Sequence, residues 1–270
     1  MMFTDWLIVA AVTLVVAVAA MLTVGAVIRK SGRVGVIDVL WGPLILVSSL
    51  AAAVTGTVLG TAEAPVWLLL AMVAVWAGRL SRHLGTRFGH DVEDPRYTDL
   101  MDKPAANLLR SVLLPQGGVA WLVSIPLQVA SIAGSAEQGG TGGTLWWIVI
   151  SGLVVAVVGL VVETIADRQL DAFRQEGGHG RVMDCGLWSW SRHPNYFGES
   201  VIWWGIWIAV AGTGPGSVAI LCALISPVAM TVTLVWGSGA RILEKRMAGR
   251  QGWDDYRRRT SKFIPLPPGS

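Results

Sequence analysis

The chain has 270 residues, of which 53% are hydrophobic and only 14% are charged, with a formal net charge of +3. A soluble globular domain carries about a quarter charged residues, so this composition argues against a soluble protein. The basic residues lie where membrane topology accounts for them, and we therefore expect no nucleic-acid partner.

Apolar segments follow one another along most of the chain. A transmembrane helix needs about 20 predominantly apolar residues. The segments that approach this length are 6–28, 36–56, 65–84, 108–132, 145–165, 199–212 and 216–238. The last two are separated only by a short Gly-rich turn. The sequence therefore predicts an all-α integral membrane protein with seven transmembrane helices, forming a single membrane domain over 1–270.

The positive charges are distributed asymmetrically between the loops. All 21 Lys and Arg lie after the first, third, fifth and seventh segments, whereas the alternate loops carry only Asp5, Glu63 and Glu137. Positive residues favour cytoplasmic loops. We therefore expect the N-terminus outside and the C-terminus in the cytoplasm. The first segment lacks a basic n-region and is long for a signal peptide, so we expect it to stay in the protein.

Two residues toward the N-terminal side are candidates for an acid that acts on a substrate. Asp38 lies just inside the cytoplasmic end of the second segment, where a carboxylate is costly unless it is paired or faces a wet cavity. It is either an interfacial partner of Arg33 or a pocket residue. Tyr97 follows Arg96 in a long polar loop, which is either solvated surface or a segment that reaches back over a pocket.

The fifth segment continues into a stripe of charged residues. Glu163, Asp167, Asp171 and Arg174 are spaced i, i+4, i+8 and i+11, which places them on one face of one helix. A helix that merely leaves the membrane often carries charge on all sides. Because these charges face one way and begin near the bilayer, we favour a pocket wall over a solvated face.

The densest polar motif is 191–199, directly before the sixth apolar segment. Pro194 suits the first turn of a helix, and helix N-termini bind anions through their free N–H groups. Polar groups suited to a ligand surround this start: Arg192, His193, Asn195, Tyr196 and Glu199. Asn195 and Glu199 share a helical face. The motif predicts a site for a phosphorylated cofactor that enters from the cytoplasm.

The basic C-terminal tail allows two interpretations. It is either a polybasic segment that lies on anionic lipid, or a lid whose arginines hold a phosphate and whose Tyr256 packs on a base. Glu244 and Arg246, close to the membrane, suit the pocket better. Cys185 and Cys222 lie in different environments, so we expect no disulfide, and the four histidines show no metal-ligand spacing.

Three stretches together resemble the bacterial branch of the steroid 5-alpha-reductase-like family, the DUF1295 proteins. They are Glu163-x-x-Ala166-Asp167-x-Gln169, then Gly186-Leu187-Trp188-Ser189-x-Ser191-Arg192-His193-Pro194-Asn195-Tyr196-Phe197-Gly198-Glu199, and the ending Tyr256…Ser261-x-Phe263-Ile264-Pro265. The Arg-His-Pro-Asn-Tyr core is also similar to that of sterol C14 and C7 reductases, and more distantly to isoprenylcysteine methyltransferases.

This resemblance implies a seven-helix fold in which the C-terminal helices hold NADPH in a cytoplasmic cavity. The cofactor contacts that it implies are Asp167, Arg174, Arg181, Asn195, Tyr196, Glu199 and Tyr256. Physical grounds add Glu163, Asp171, Arg192, His193 and Arg246. We thus expect 145–270 to be the cofactor side and 1–132 the substrate side. Steroid-reducing members hold the substrate ketone with a glutamate in span 2 and a tyrosine in span 3, whereas this chain offers only Asp38 there.

The sequence therefore predicts an NADPH-dependent reductase of an activated C=C bond in a steroid or other lipid, with Asp38 or Tyr97 as the acid. We expect the substrate to come from the bilayer, no protein partner, and a bacterial plasma membrane with the site facing the cytoplasm. Two alternatives stay open: a methyltransferase that uses S-adenosylmethionine on a lipid or prenyl thiol, and a non-enzymatic lipid-binding or transport protein. The many arginines favour a cofactor with several phosphates.

Overall fold

The structure is a computed structural model that describes residues 2–88, 108–134, 143–178, 180–214, 216–237 and 239–268. Within these residues the regular structure is helical and contains no strand, although Ser191 and Ser261 form an isolated parallel bridge. The prediction of an all-α protein is therefore confirmed.

The N-terminal half contains three long helices, α1 (Met2–Ser31), α2 (Val36–Val58) and α3 (Ala64–Phe88). A π-helical turn (Leu109–Leu113) then leads into α4 (Leu114–Val123) and the short α5 (Ile125–Ala130). The break between α4 and α5 falls at Ser124. The following Pro126 lacks an N–H, and the Ser124 hydroxyl donates to the Trp121 carbonyl at 2.7 Å.

The C-terminal half begins with α6 (Trp146–Phe173), which runs into a π-helical turn (Arg174–Gly178). A 3₁₀ turn (Gly186–Ser189) precedes α7 (Pro194–Ala211), so Pro194 opens its helix as the sequence predicts. The remaining helices are α8 (Ser217–Ala223), α9 (Ile225–Val235), α10 (Ala240–Met247) and α11 (Trp253–Arg259).

Six helical segments of the described chain are long and apolar enough to cross a membrane: Phe3–Ser31, Val36–Val58, Ala64–Thr86, Leu109–Ala130, Trp146–Gly178 and Ser217–Met247. The protein is therefore an integral membrane protein, and these six correspond to six of the seven predicted spans. The other prediction, 199–212, falls within α7. Asn195 and Glu199 occupy the first turns of α7, which leaves it with a short apolar run. A seventh span and the orientation of the termini stay predictions.

The chain divides into two compact units, which we describe separately. The N-terminal unit comprises Met1–Val149 and Ala209–Ser226. Small residues bring its helices together, since a Cβ on Gly42 would lie 2.8 Å from the Ala77 Cα. Polar groups are paired across the same interior: the Thr61 hydroxyl donates to the Ser131 carbonyl at 2.8 Å, and Ser226 donates to the Val123 carbonyl at 2.8 Å.

The C-terminal unit comprises Ile150–Ile208 and Pro227–Ser270, and its central contact is between α6 and α7. Gly152 and Gly159 of α6 face Gly205 and Gly198 of α7, and we call these four residues the glycine seam. A Cβ on Gly159 would lie 2.6 Å from the Gly198 carbonyl oxygen, and one on Gly205 would lie 2.6 Å from the Gly152 carbonyl oxygen. Close backbone approach of this kind is typical of membrane helices joined by small residues.

Candidate functional site

The glycine seam brings the charged stripe of α6 against the polar start of α7. The Asn195 Nδ2 amide donates to Asp167 Oδ1 at 3.0 Å. The inner members of this cluster are buried: Glu163, Asp167 and Glu199 are 2%, 4% and 5% exposed. A surface stripe would remain solvated, so this burial places the inner carboxylates in the interior of the C-terminal unit.

The outer end of the stripe has the opposite character. Asp171 and Arg174 form a half-exposed ion pair, with 3.9 Å between Oδ1 and Nη1. The Arg181 guanidinium lies over the Phe173 ring, 5.6 Å from its centroid. The chain turns between these residues at Gly177, whose φ of +82° suits glycine. The stripe therefore begins with buried carboxylates on α6, and guanidinium groups lie at and beyond the end of this helix.

Glu244 of α10, which the sequence suggested as a pocket residue together with Arg246, pairs with two members of the motif, and the sequence did not predict this pairing. Its Oε1 lies 3.1 Å from Arg192 Nη1 and 3.3 Å from His193 Nε2. The Arg192 guanidinium also lies 5.8 Å from the centroid of the Trp253 ring. One signal in the sequence distinguishes Glu244, because it is the sole acidic residue between Glu199 and Asp254. Arg192 and His193 thus both contact the carboxylate of Glu244, a residue of the protein itself.

His193 is buried, with 5% of its surface exposed. Burial lowers the pKa of its imidazole below the usual 6.5, and the Glu244 carboxylate opposes this shift. The ring also stacks on Tyr196 with 5.6 Å between centroids and 10° between planes. At neutral pH the imidazole is therefore uncharged. Its Nε2–H then donates to Glu244, a tautomer that follows from the acceptor.

The C-terminal tail folds back over the motif and pairs with its backbone. The Arg192 N–H donates to the Ser261 carbonyl at 2.9 Å, and the Ser191 hydroxyl donates to the Phe263 carbonyl at 2.8 Å. The Leu266 N–H donates to the Trp190 carbonyl at 3.0 Å. These bonds fix the segment that enters α7, so the position of the motif depends on residues at the end of the chain.

Tyr256 hydrogen-bonds to the segment that precedes α7. It is 3% exposed, and its hydroxyl donates to the Trp188 carbonyl at 2.7 Å. Burial raises the pKa of this phenol, which therefore stays protonated and able to donate. Trp188 in turn donates from Nε1 to the Ala166 carbonyl at 3.0 Å. Tyr256 is thus already engaged with the protein, and its role as a cofactor contact stays a prediction.

Three buried side-chain atoms of the motif have no hydrogen-bond partner among the described residues. They are the acceptor Asn195 Oδ1 and the donors Arg192 Nε and Nη1, of which Nη1 lies within ion-pair distance of Glu244. A buried polar group left unpaired costs about 1–3 kcal/mol. A ligand that supplies a donor to Asn195 would remove part of this cost.

The remaining predicted residues lie in various places. Arg246 is exposed on α10 of the C-terminal unit. Asp38 is half-buried in the first turn of α2, in the N-terminal unit. Tyr97 lies outside the described residues.

The six membrane-length helices and the buried polar cluster at the start of α7 define an integral membrane protein with a polar interior at this helix start. The chain belongs to the family described as "Protein of unknown function (DUF1295)", which matches residues 24–262. It is steroid 5-alpha-reductase-like, as the following relatives show. The resemblance read from the motifs is therefore confirmed, and the narrower bacterial branch stays a prediction.

Two relatives carry the same printed name. The chain is 32% identical over 124 residues to the steroid 5-alpha-reductase DET2 of Gossypium hirsutum, which is 45% of this chain and 43% of that protein. It is 35% identical over 65 residues to the steroid 5-alpha-reductase DET2 of Arabidopsis thaliana, which is 24% of this chain and 25% of that protein. The chain thus spans less than half the length of either relative. No solved structure matches it significantly.

Proposed function

We propose that this protein is an NADPH-dependent membrane reductase that reduces an activated C=C bond of a steroid or another lipid. The family and the names of its relatives support the reaction class. The observation that carries the proposal is the Asn195–Asp167 pair, in which the Asn195 amide oxygen is buried and has no donor among the described residues. It offers an acceptor at a helix start that also favours negative charge.

The residues present fit NADPH. Its carboxamide and amino groups can donate to Asn195 Oδ1, and its phosphates suit the guanidinium groups at the end of the stripe and on α10, Arg174, Arg181 and Arg246. The remaining proposed contacts are Glu163, Asp167, Asp171, Arg192, His193, Tyr196, Glu199 and Tyr256. When bound, NADPH supplies a hydride to the substrate.

The protein's own contribution is positioning and charge stabilisation. Glu244 fixes Arg192 and His193, and the folded-back tail fixes the backbone that precedes α7. Asp38, or Tyr97 outside the described residues, is the proposed acid that hydrogen-bonds the oxygen on which charge develops. A donor in this role typically contributes about 10²–10⁴-fold. A site that excludes water strengthens it further.

The proposal includes a topology. We place the N-terminus outside and the C-terminus in the cytoplasm of a bacterial plasma membrane, with α7 as the seventh span. All 21 Lys and Arg then fall on the cytoplasmic side. The cofactor enters from the cytoplasm and the lipid substrate from the bilayer.

Ligand-induced thermal stabilisation of the detergent-purified protein tests this function. NADPH at about 100 times its dissociation constant should add about 2.7 kcal/mol to the free energy of unfolding. Asn195→Ala should lose most of this gain, whereas Gln251→Ala, an exposed amide of the same unit, should keep it. Stabilisation by S-adenosylmethionine alone would instead favour the methyltransferase, and stabilisation by neither would favour a non-enzymatic lipid-binding protein.

A further inference from the structure

The N-terminal unit contains a groove whose lining includes none of the proposed cofactor residues. This groove of about 640 Å³ lies where the last turns of α1 meet the π-helical turn before α4. Its apolar walls include Leu22 and Gly25 of α1 and Leu109 and Leu113 of the turn, while Arg29 and Lys30 line the end of the groove. Both cations are exposed.

The geometry of α1 arranges these groups in order along one face. Leu22, Gly25 and Arg29 are spaced i, i+3 and i+7, so they lie on the same side of the helix over about 10 Å. Gly25 creates room at the middle of this face, because a Cβ there would lie 3.0 Å from Leu113 Cδ1. The groove is thus apolar along its length and cationic at the membrane-surface end of the first span.

We infer that this groove binds an anionic phospholipid, with the phosphate of the headgroup at Arg29 and Lys30 and an acyl chain between Leu22 and Leu109. Cationic residues at the end of a membrane helix often serve only as interfacial anchors. Here they adjoin a groove, and the combination of apolar walls with a cationic end matches the two parts of a phospholipid. Free phosphate would use only the cationic end. A zwitterionic lipid also offers a phosphate, but its own headgroup cation offsets part of the attraction to Arg29 and Lys30.

Lipid retention measured by native mass spectrometry tests this inference on the full-length protein. The protein is reconstituted in phosphatidylcholine with a minor fraction of phosphatidylglycerol. It is then extracted into detergent, and the detergent is removed in the mass spectrometer. We expect wild type to retain phosphatidylglycerol, and Arg29→Gln/Lys30→Gln to lower its preference over phosphatidylcholine by about thirtyfold. The control Arg241→Gln/Lys245→Gln removes two exposed cations from the C-terminal unit and should leave the preference unchanged.

A second variant separates the groove from the charges. Gly25→Leu places a side chain in the groove and should reduce retention of both lipids while both cations remain. Gly118→Leu is its matched control, because a Cβ added at Gly118 would meet no other part of the described protein within 4 Å. This variant should retain lipid normally. The inference is overturned if Arg29→Gln/Lys30→Gln keeps the wild-type preference, or if inorganic phosphate displaces the lipid as readily as added phosphatidylglycerol does. Retention unaffected by Gly25→Leu would also overturn it.

Discussion

Gly198→Ala tests whether the glycine seam sets the geometry of the candidate site. A Cβ at this position would lie 2.6 Å from the Glu163 backbone nitrogen and 2.7 Å from the Gly159 carbonyl oxygen. Ordinary contact begins near 3.4 Å, so α6 and α7 must separate locally by about 0.8 Å. Because backbone atoms cannot turn away as a flexible side chain can, we expect this strain to cost about 1–3 kcal/mol of unfolding free energy.

The same separation affects the site one turn away. The Asn195–Asp167 hydrogen bond is 3.0 Å long, and an added 0.8 Å would take it out of hydrogen-bond range. We therefore expect Gly198→Ala to raise the Kd for NADPH about tenfold or more, since a hydrogen bond to a charged group contributes about 1.5–3 kcal/mol. Thermal denaturation and ligand titration of the purified protein measure the two effects.

Two matched substitutions make this result interpretable. Gly205→Ala strains the same seam two turns deeper and should lower stability while leaving the Kd for NADPH nearly unchanged. Gly118→Ala has no neighbour within 4 Å and should be within about 0.5 kcal/mol of wild type. A Gly198→Ala protein with wild-type stability and wild-type NADPH affinity would refute the link between the seam and the site.

Further predictions concern the residues that hold the motif. Glu244→Gln removes the carboxylate that meets Arg192 and His193, and should cost about 1–3 kcal/mol by thermal denaturation. Tyr256→Phe leaves the Trp188 carbonyl without its donor and should cost a similar amount, about 1–3 kcal/mol. Because burial lowers the folded-state pKa of His193, its contribution to stability is complete above about pH 6.5 and is lost as the pH falls below that value. His193→Gln should flatten this loss below about pH 6.5, and an unchanged slope there would contradict the assignment.

The sequence was a good guide wherever the controlling interactions are local. The bounds of α1, α2 and α3 lie close to the predicted segments, because apolar length alone determines them. The start of α7 at Pro194 and the one-sided stripe on α6 also follow from local rules of helix geometry. The contact between Asn195 and Asp167 required only that these two predicted faces meet.

The sequence was a poor guide wherever distant segments meet. Glu244 lies 51 residues after His193, and its pairing with the motif depends on how α10 folds back. No periodicity encodes that return, so the prediction left the charges of Arg192 and His193 for a cofactor. The tail shows the same limit. Its hydrogen bonds to the motif are largely backbone hydrogen bonds, which no pattern of side chains predicts. Asp38 illustrates another limit of the sequence. Its position along the helix can be predicted from the sequence, but the groups that it faces cannot.

The paired tail also has a consequence for biosynthesis. Ser191 finds its partner Phe263 72 residues later in the chain. At synthesis rates of roughly 5–20 residues per second, the segment that enters α7 waits several seconds for that partner. During this interval α6 and α7 can already associate through their glycines, whereas the segment that enters α7 lacks its hydrogen bonds to the tail. The entry to the site therefore reaches its final form only after Phe263 has been synthesised, and a chain truncated before this residue would lack the bond that fixes it.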